Sequence, residues 1–119
     1  MLIEMKNIVL DTNFLIYCAK FKIDLFSEID RLFFEPYKLF VLDLTIKELE
    51  KLKPHGLSLI KKYIEKIEII NSKEKYVDTE LTKLSSEGYL IATQDLELKK
   101  KLKSSVIVIR QQKYLELRN

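Results

Sequence analysis

A short apolar run that ends in an acid places the strongest constraint on this chain. Ile8, Val9 and Leu10 are followed directly by Asp11, and a second apolar segment begins at Phe14. Such a run is typical of a strand buried on both faces, as at the centre of a parallel sheet. Asp11 then stands at the strand's carboxyl end, where open α/β sheets bind their ligands. The sequence allows two interpretations of Asp11: an N-cap of the next helix, or a carboxylate at the mouth of a cleft.

Helices and strands are predicted to alternate along the rest of the chain. The further strands are predicted at 37–42, 68–70, 89–93 and 106–109, and helices at 23–34, 57–67, 78–87, 95–103 and from Thr45 to Pro54. This alternation predicts an α/β fold with a parallel sheet of five strands covered by helices on both faces. The tail, 110–119, is predicted to end in a helical turn around Leu115 and Leu117.

Composition predicts one folded domain over residues 1–119. Hydrophobic residues make up 47% and charged residues 33%, which favours a packed core over disorder. Cys18 is the single cysteine, so no intramolecular disulfide forms, and we expect a reducing cytoplasm. We also expect no membrane segment, since no apolar run is long enough to span a bilayer. The net charge of +3 suits a nucleic-acid partner without requiring one.

Acidic residues recur where strands and helices meet. Asp11 follows the first strand and Asp95 follows the fourth. Glu48 lies in the predicted first turn after the second strand, and Asp78 opens the helix before the fourth. Because right-handed crossovers bring all strand-to-helix turns to one edge of a parallel sheet, we expect these carboxylates to share a site. Close carboxylates repel one another unless a cation lies among them, and a set of oxygen ligands favours Mg²⁺ or Mn²⁺. Such ions activate water and stabilise a phosphodiester under attack.

Like Asp11, the other three acids also have a purely structural interpretation. Glu48 has the spacing of a capping box with Thr45, in which the two side chains would close the start of a helix. Asp78 and Asp95 are both good N-caps, and carboxylates are favourable near a helix N-terminus.

Other polar residues are candidates for supporting roles. Asn13 and Thr93 can hydrogen-bond the carboxylates and orient them. The lysines of 99–103 have two interpretations, a solvated helix face or contacts with phosphates, and Arg110 and Lys113 would join the second.

Three segments resemble motifs of the PIN-domain ribonucleases. Residues 10–15, Leu-Asp-Thr-Asn-Phe-Leu, resemble the opening motif of the family. Residues 44–49 resemble its second acidic motif and residues 89–98 its fourth. The basic ending, 109–115, is similar to that of an archaeal branch related to ribosomal-RNA-processing nucleases and VapC-type toxins. The resemblance extends from Ile8 to the tail.

The resemblance implies both a fold and an activity. The fold would be a three-layer α/β/α sandwich, and the activity Mg²⁺- or Mn²⁺-dependent endonucleolytic cleavage of RNA. Asp11, Glu48 and Asp95 would be its metal-binding acids. At the third motif the branch usually has two adjacent acids, the second of which aligns with the family's third acid. This chain has Asp78 followed by Thr79, and Asp78 is our candidate for the remaining catalytic and metal-binding acid.

The resemblance leaves the biological role open. The chain would be the toxin of a toxin–antitoxin pair, with a small antitoxin protein as partner, or a processing nuclease for structured RNA. A homodimer is compatible with either role. A non-catalytic PIN-fold module that binds RNA or protein is the alternative, and Thr79 favours it. A phosphate-accepting receiver shares the architecture but requires an acid after the third strand, where this chain has Asn71.

Overall fold

A computed structural model describes residues 4–119 and contains alternating strands and helices. In chain order they are β1 (Lys6–Leu10), α1 (Thr12–Lys20), α2 (Leu25–Leu32), β2 (Tyr37–Leu42), α3 (Asp43–Leu52), α4 (Leu57–Ile64), β3 (Glu68–Ile70), α5 (Val77–Ser86), β4 (Leu90–Ala92), α6 (Leu96–Lys101), β5 (Val106–Arg110) and β6 (Tyr114–Arg118). The bounds of β2 and β3 coincide with those predicted from the sequence. Within residues 4–119, every helix is too short or too polar to cross a membrane.

The strands form one six-stranded sheet in the order β3-β2-β1-β4-β5-β6. β1 pairs in parallel with β2 on one side and with β4 on the other. The pairs β2–β3 and β4–β5 are also parallel. The chain therefore proceeds outward from β1 in both directions. At such a switch point a crevice opens beyond the carboxyl ends of the central strands.

Helices cover both faces of the sheet. Along β1, Ile8 and Leu10 pack into one core and Val9 into the other, as the alternation of side chains in a strand requires. The first core includes side chains of α1, α2 and α4, among them the buried Cys18, and the second includes those of α5 and α6. The predicted three-layer α/β/α fold is thus confirmed.

The tail differs from its prediction. Tyr114–Arg118 forms β6, antiparallel to β5, where a helical turn was predicted, so the sheet has six strands and is not wholly parallel. Gln111 and Gln112 turn the chain with positive φ angles of 52° and 56°. Glutamine is not typical of such turns, which Asn and Gly dominate. Burial of Leu115, which is 0% exposed in the first core, stabilises the strand.

Candidate active site

The acids predicted from the sequence line one pocket at the carboxyl end of β1. Its volume is about 200 Å³. We call it the acid pocket, and its polar lining includes Asp11, Asn13, Glu48, Asp78 and Asp95. They come from the β1–α1 junction, α3, α5 and the β4–α6 loop, which the topology brings together.

Asp11 is the most constrained of these acids. Its backbone amide continues the sheet ladder by donating to the carbonyl of Ala92 at 2.9 Å. Its Oδ1 accepts from the amide of Thr12 at 2.8 Å, and its Oδ2 accepts from the hydroxyl of Thr93 at 2.7 Å. Asp11 is thus both the N-cap of α1 and a carboxylate of the pocket, so the two interpretations of the sequence hold together.

The environment of Asp11 disfavours its charged form. Its residue is only 5% exposed. Burial raises the pKa of the carboxyl from its ordinary 3.8 to about 6, and the nearby charges of Asp78 and Glu48 add to the rise. The hydrogen bonds from Thr93 and Thr12 oppose it. A buried carboxylate facing other carboxylates is the arrangement that a bound cation would stabilise.

Hydrogen bonds of Thr93 and Asn13 connect the β4–α6 loop to the junction of β1 and α1. The Thr93 hydroxyl donates to Asp11 and accepts from the amide of Asp95 at 3.1 Å. Oδ1 of Asn13 accepts from the amide of Gln94 at 3.2 Å. Both residues were predicted to orient carboxylates. Thr93 contacts the Asp11 carboxylate directly, whereas Asn13 holds the backbone that carries Asp95.

Asp95 combines a capping role with its place in the pocket. Its Oδ1 accepts from the amides of Glu97 at 2.9 Å and Leu98 at 3.2 Å, so it is the N-cap of α6, as its sequence suggested. Capping fixes the orientation of the side chain beside Asp11.

The capping box predicted for Glu48 does not form. α3 begins at Asp43, its N-cap Leu42 makes no side-chain cap, and Glu48 therefore lies in the second turn. Its Oε1 accepts a 2.8 Å hydrogen bond from the hydroxyl of Thr12, which also lies 3.1 Å from the hydroxyl of the buried Thr45. Sequence reasoning missed the role of Thr12, for which the only local signal was its position after Asp11.

Asp78 is not an N-cap either. α5 begins at Val77 after the N-cap Tyr76, so Asp78 is its second residue. The Asp78 side chain nevertheless lines the acid pocket, whereas Thr79 does not and lines two neighbouring grooves. Glu80, the acid that follows Thr79, is buried and accepts hydrogen bonds from loop amides outside the pocket.

The donor set suits a hard divalent cation. Every acid of the pocket offers oxygen, the ligand that Mg²⁺ and Mn²⁺ prefer. As the side chains stand, no three Asp, Glu, His or Cys residues within residues 4–119 are close enough to hold a metal. Asp78 is exposed, and its carboxylate accepts no hydrogen bond from any of residues 4–119. The chemistry of the set therefore fits, and coordination requires movement of the exposed acids.

Among residues 4–119, none of the lysines that follow Asp95 lines the acid pocket. Lys101 and Lys103 line a groove of about 480 Å³ together with Lys83, and this groove meets the acid pocket only at Asp78. Arg110, another predicted phosphate contact, lies at the end of β5 and forms an ion pair with Glu116 of β6 at 3.6 Å.

Known proteins share this fold and sequence pattern. A family model described as a PIN like domain matches residues 8–113. Ribonuclease VapC4 of Methanocaldococcus jannaschii is 32% identical over an alignment 127 positions long, which covers 95% of this chain and 97% of that protein. The structure of the PIN domain endonuclease Utp24 matches with a TM-score of 0.80 at 23% identity, covering 93% of this chain and 90% of that one, a likeness of fold. The chain therefore belongs to the PIN-like domain family.

Proposed function

We propose that this protein is a metal-dependent endoribonuclease that hydrolyses RNA phosphodiester bonds at the acid pocket. The observation that carries the proposal is the meeting of four carboxylates at the switch point of the sheet, with Asp11 buried and its pKa raised to about 6. Similarity to a protein named a ribonuclease and to one titled an endonuclease supports it.

Four residues would hold the metal. Asp11 and Asp95 would bind it from the strand side of the pocket, and Glu48 and Asp78 from the helix side. Bound Mg²⁺ or Mn²⁺ would supply a water of lowered pKa and would stabilise charge on the phosphodiester.

The protein's own contribution is to hold these ligands in place. The hydroxyl of Thr93 donates to Asp11 and the hydroxyl of Thr12 donates to Glu48, so each threonine orients one of the ligands. Because ligand orientation depends on such hydrogen bonds, both threonines are positioning residues in this proposal.

The proposed chemistry serves either of two roles, a toxin or an RNA-processing nuclease acting in the cytoplasm. A small antitoxin protein that binds the chain and suppresses cleavage would establish the toxin role. Absence of such inhibition, with accumulation of an uncut precursor RNA when the protein is missing, would establish the processing role.

A non-catalytic RNA- or protein-binding module is the second candidate. Two observations favour it. Thr79 stands where the resembled family has an acid, and within residues 4–119 no three potential ligands are close enough to hold a metal. This candidate predicts RNA binding without cleavage in any divalent metal.

Cleavage of a panel of single-stranded and structured RNAs, with Mn²⁺, Mg²⁺ or EDTA, tests the proposal. We expect cleavage only with metal, and loss of cleavage in Asp11→Asn and Glu48→Gln. Glu50→Gln is the matched control, since Glu50 is an exposed acid of α3 that pairs with Lys61 outside the pocket. No cleavage of any RNA by the folded wild type in Mn²⁺ would overturn the nuclease proposal in favour of the binding module.

A further inference from the structure

A larger cavity of about 630 Å³ adjoins the acid pocket between α3 and the start of α5. It shares Glu48, Val77 and Asp78 with the acid pocket, so the two cavities are neighbours. Its other polar side chains have no part in the proposed metal chemistry. We call this cavity the lysine groove, because Lys47, Lys51 and Lys75 line it, together with Tyr76.

The three lysines outnumber the two carboxylates that line the groove, those of Glu48 and Asp78, and give it a net positive charge. Lys47 and Lys51 lie four residues apart on α3, so they occupy the same side of the helix, and Lys75 faces them from the loop before α5. All three are exposed, and none joins an ion pair among residues 4–119. Unpaired lysines at the border of a pocket proposed to cut RNA are suited to bind its phosphates.

Tyr76 adds an aromatic surface to the same groove. It is 65% exposed, which is unusual for so large a ring and leaves it accessible to a ligand. The Nζ of Lys75 lies 5.7 Å from the centre of the ring. An exposed aromatic ring beside a cation is the combination with which proteins stack on nucleic-acid bases and hold the adjoining backbone.

Two carboxylates that lie outside the acid pocket hold the loop that carries Lys75 and Tyr76. Oδ1 of Asp43 accepts from both the amide and the hydroxyl of Ser72, at 2.9 and 2.6 Å, and these bonds lower the pKa of Asp43. Glu80 is only 3% exposed, and its Oε1 accepts from the amides of Lys73 and Glu74. This explains why α5 buries an acid, and it means that the loop is preorganised before any ligand binds.

We propose that the lysine groove holds the RNA strand next to the scissile phosphate, with Tyr76 as its base-stacking residue. Tyr76 stacks on one base, while Lys47, Lys51 and Lys75 contact the flanking phosphates. A base within a duplex is stacked on its neighbours and offers no free face to a tyrosine, so stacking on Tyr76 requires an unpaired base. The placement beside the scissile phosphate rests on the proposed function, whereas the roles of Tyr76 and the lysines rest on the groove alone.

Binding of a labelled single-stranded RNA of about ten nucleotides, followed by fluorescence anisotropy in EDTA, tests the inference apart from cleavage. We expect Tyr76→Ala to weaken binding by about fivefold or more, the loss associated with one stacked base. Tyr76→Phe keeps the ring and should bind like the wild type. A duplex of the same sequence should bind more weakly, and equally in wild type and Tyr76→Ala.

The salt dependence of binding tests the lysines. Lys51→Ala should reduce the slope of log K against log salt concentration by about 0.7, the contribution of one phosphate contact on a single strand. Lys62→Ala is the matched control, because Lys62 is an exposed lysine on α4 away from the groove, and it should leave the slope unchanged.

Melting temperatures of all variants must match that of the wild type for these comparisons to count, and none of these side chains is buried. Equal single-strand affinity of wild type and Tyr76→Ala, or duplex binding as tight as single-strand binding, would overturn the inference. If RNA is cut but binding is independent of Tyr76, the groove inference alone fails. If nothing is cut but binding depends on Tyr76, the nuclease proposal alone fails.

Discussion

The two sides of the acid pocket are built in different ways. On the strand side, Asp11 is buried and bound by Thr93, and Asp95 is fixed by the amides of its own helix. On the helix side, Glu48 and Asp78 are exposed, and of their two carboxylates only that of Glu48 has a hydrogen-bond partner among residues 4–119. We infer that a cation would bind by movement of the helix-side carboxylates toward a fixed strand side. This division of roles is preorganisation on one side and adaptability on the other.

Loss of a carboxylate from the strand side of the pocket should have the largest effect on RNA cleavage. Asp11→Asn removes the only buried carboxylate of the pocket, and metal-dependent RNA cleavage should fall by about a thousandfold or more, since a metal contributes several kcal/mol to catalysis. In the wild type, Mg²⁺ or Mn²⁺ should also raise the melting temperature, because a ligand of the folded state stabilises it. Equal metal stabilisation in wild type and Asp11→Asn, measured by differential scanning fluorimetry, would place the ion elsewhere.

The same buried carboxylate should make metal-free stability depend on pH. The pKa of Asp11 is higher in the folded state, about 6, than its ordinary 3.8, so the folded state binds the proton more tightly between these values. In EDTA its contribution to stability is therefore present below pH 4 and is lost as pH rises through 6, by up to about 3 kcal/mol. Urea titrations at several pH values should show this loss in the wild type relative to Asp11→Asn. A difference between the two proteins that stays constant from pH 4 to pH 7 would contradict the raised pKa.

The adaptable side should show smaller, separable effects. Asp78 lines the acid pocket and Thr79 does not, so Asp78→Asn should lower cleavage by about tenfold or more, as loss of a supporting metal contact does, while Thr79→Asp should change it little. Asp95→Asn, on the fixed side, serves as the reference and should cost at least as much as Asp78→Asn. A marked gain of cleavage in Thr79→Asp would instead mean that the wild-type pocket has one metal-binding acid too few.

The hydrogen bond that fixes Asp11 should have the smallest effect of the four. Thr93→Val removes the donor to Oδ2 and leaves a buried carboxylate oxygen without it, which should lower the free energy of unfolding by about 1 to 2 kcal/mol. Thr93→Ser keeps the hydroxyl and should be much closer to the wild type in urea denaturation. Equal losses in both variants would attribute the effect to packing of the missing methyl group.

The pattern of local sequence was sufficient for much of the fold. β2 and β3 have the bounds that their apolar runs predict, and Asp95 caps α6 as its position before a helical segment indicates. These features depend on side-chain periodicity and on backbone preferences over a few residues, and both can be read from the local sequence. The placement of Asp11 at the end of a central strand follows from the same local signals.

Contacts between distant residues decided the rest. The Thr12–Glu48 bond joins residues 36 positions apart and the Thr93–Asp11 bond residues 82 apart, and no local pattern specifies either. β6 forms because Leu115 is buried in the first core and because its backbone amide donates to Glu28 of α2, although its turn lacks the usual residues. The raised pKa of Asp11 likewise depends on burial, which only the packed structure determines. The sequence by itself thus determined which acids were available, and the tertiary structure decided how each is held and how strongly its charge is disfavoured.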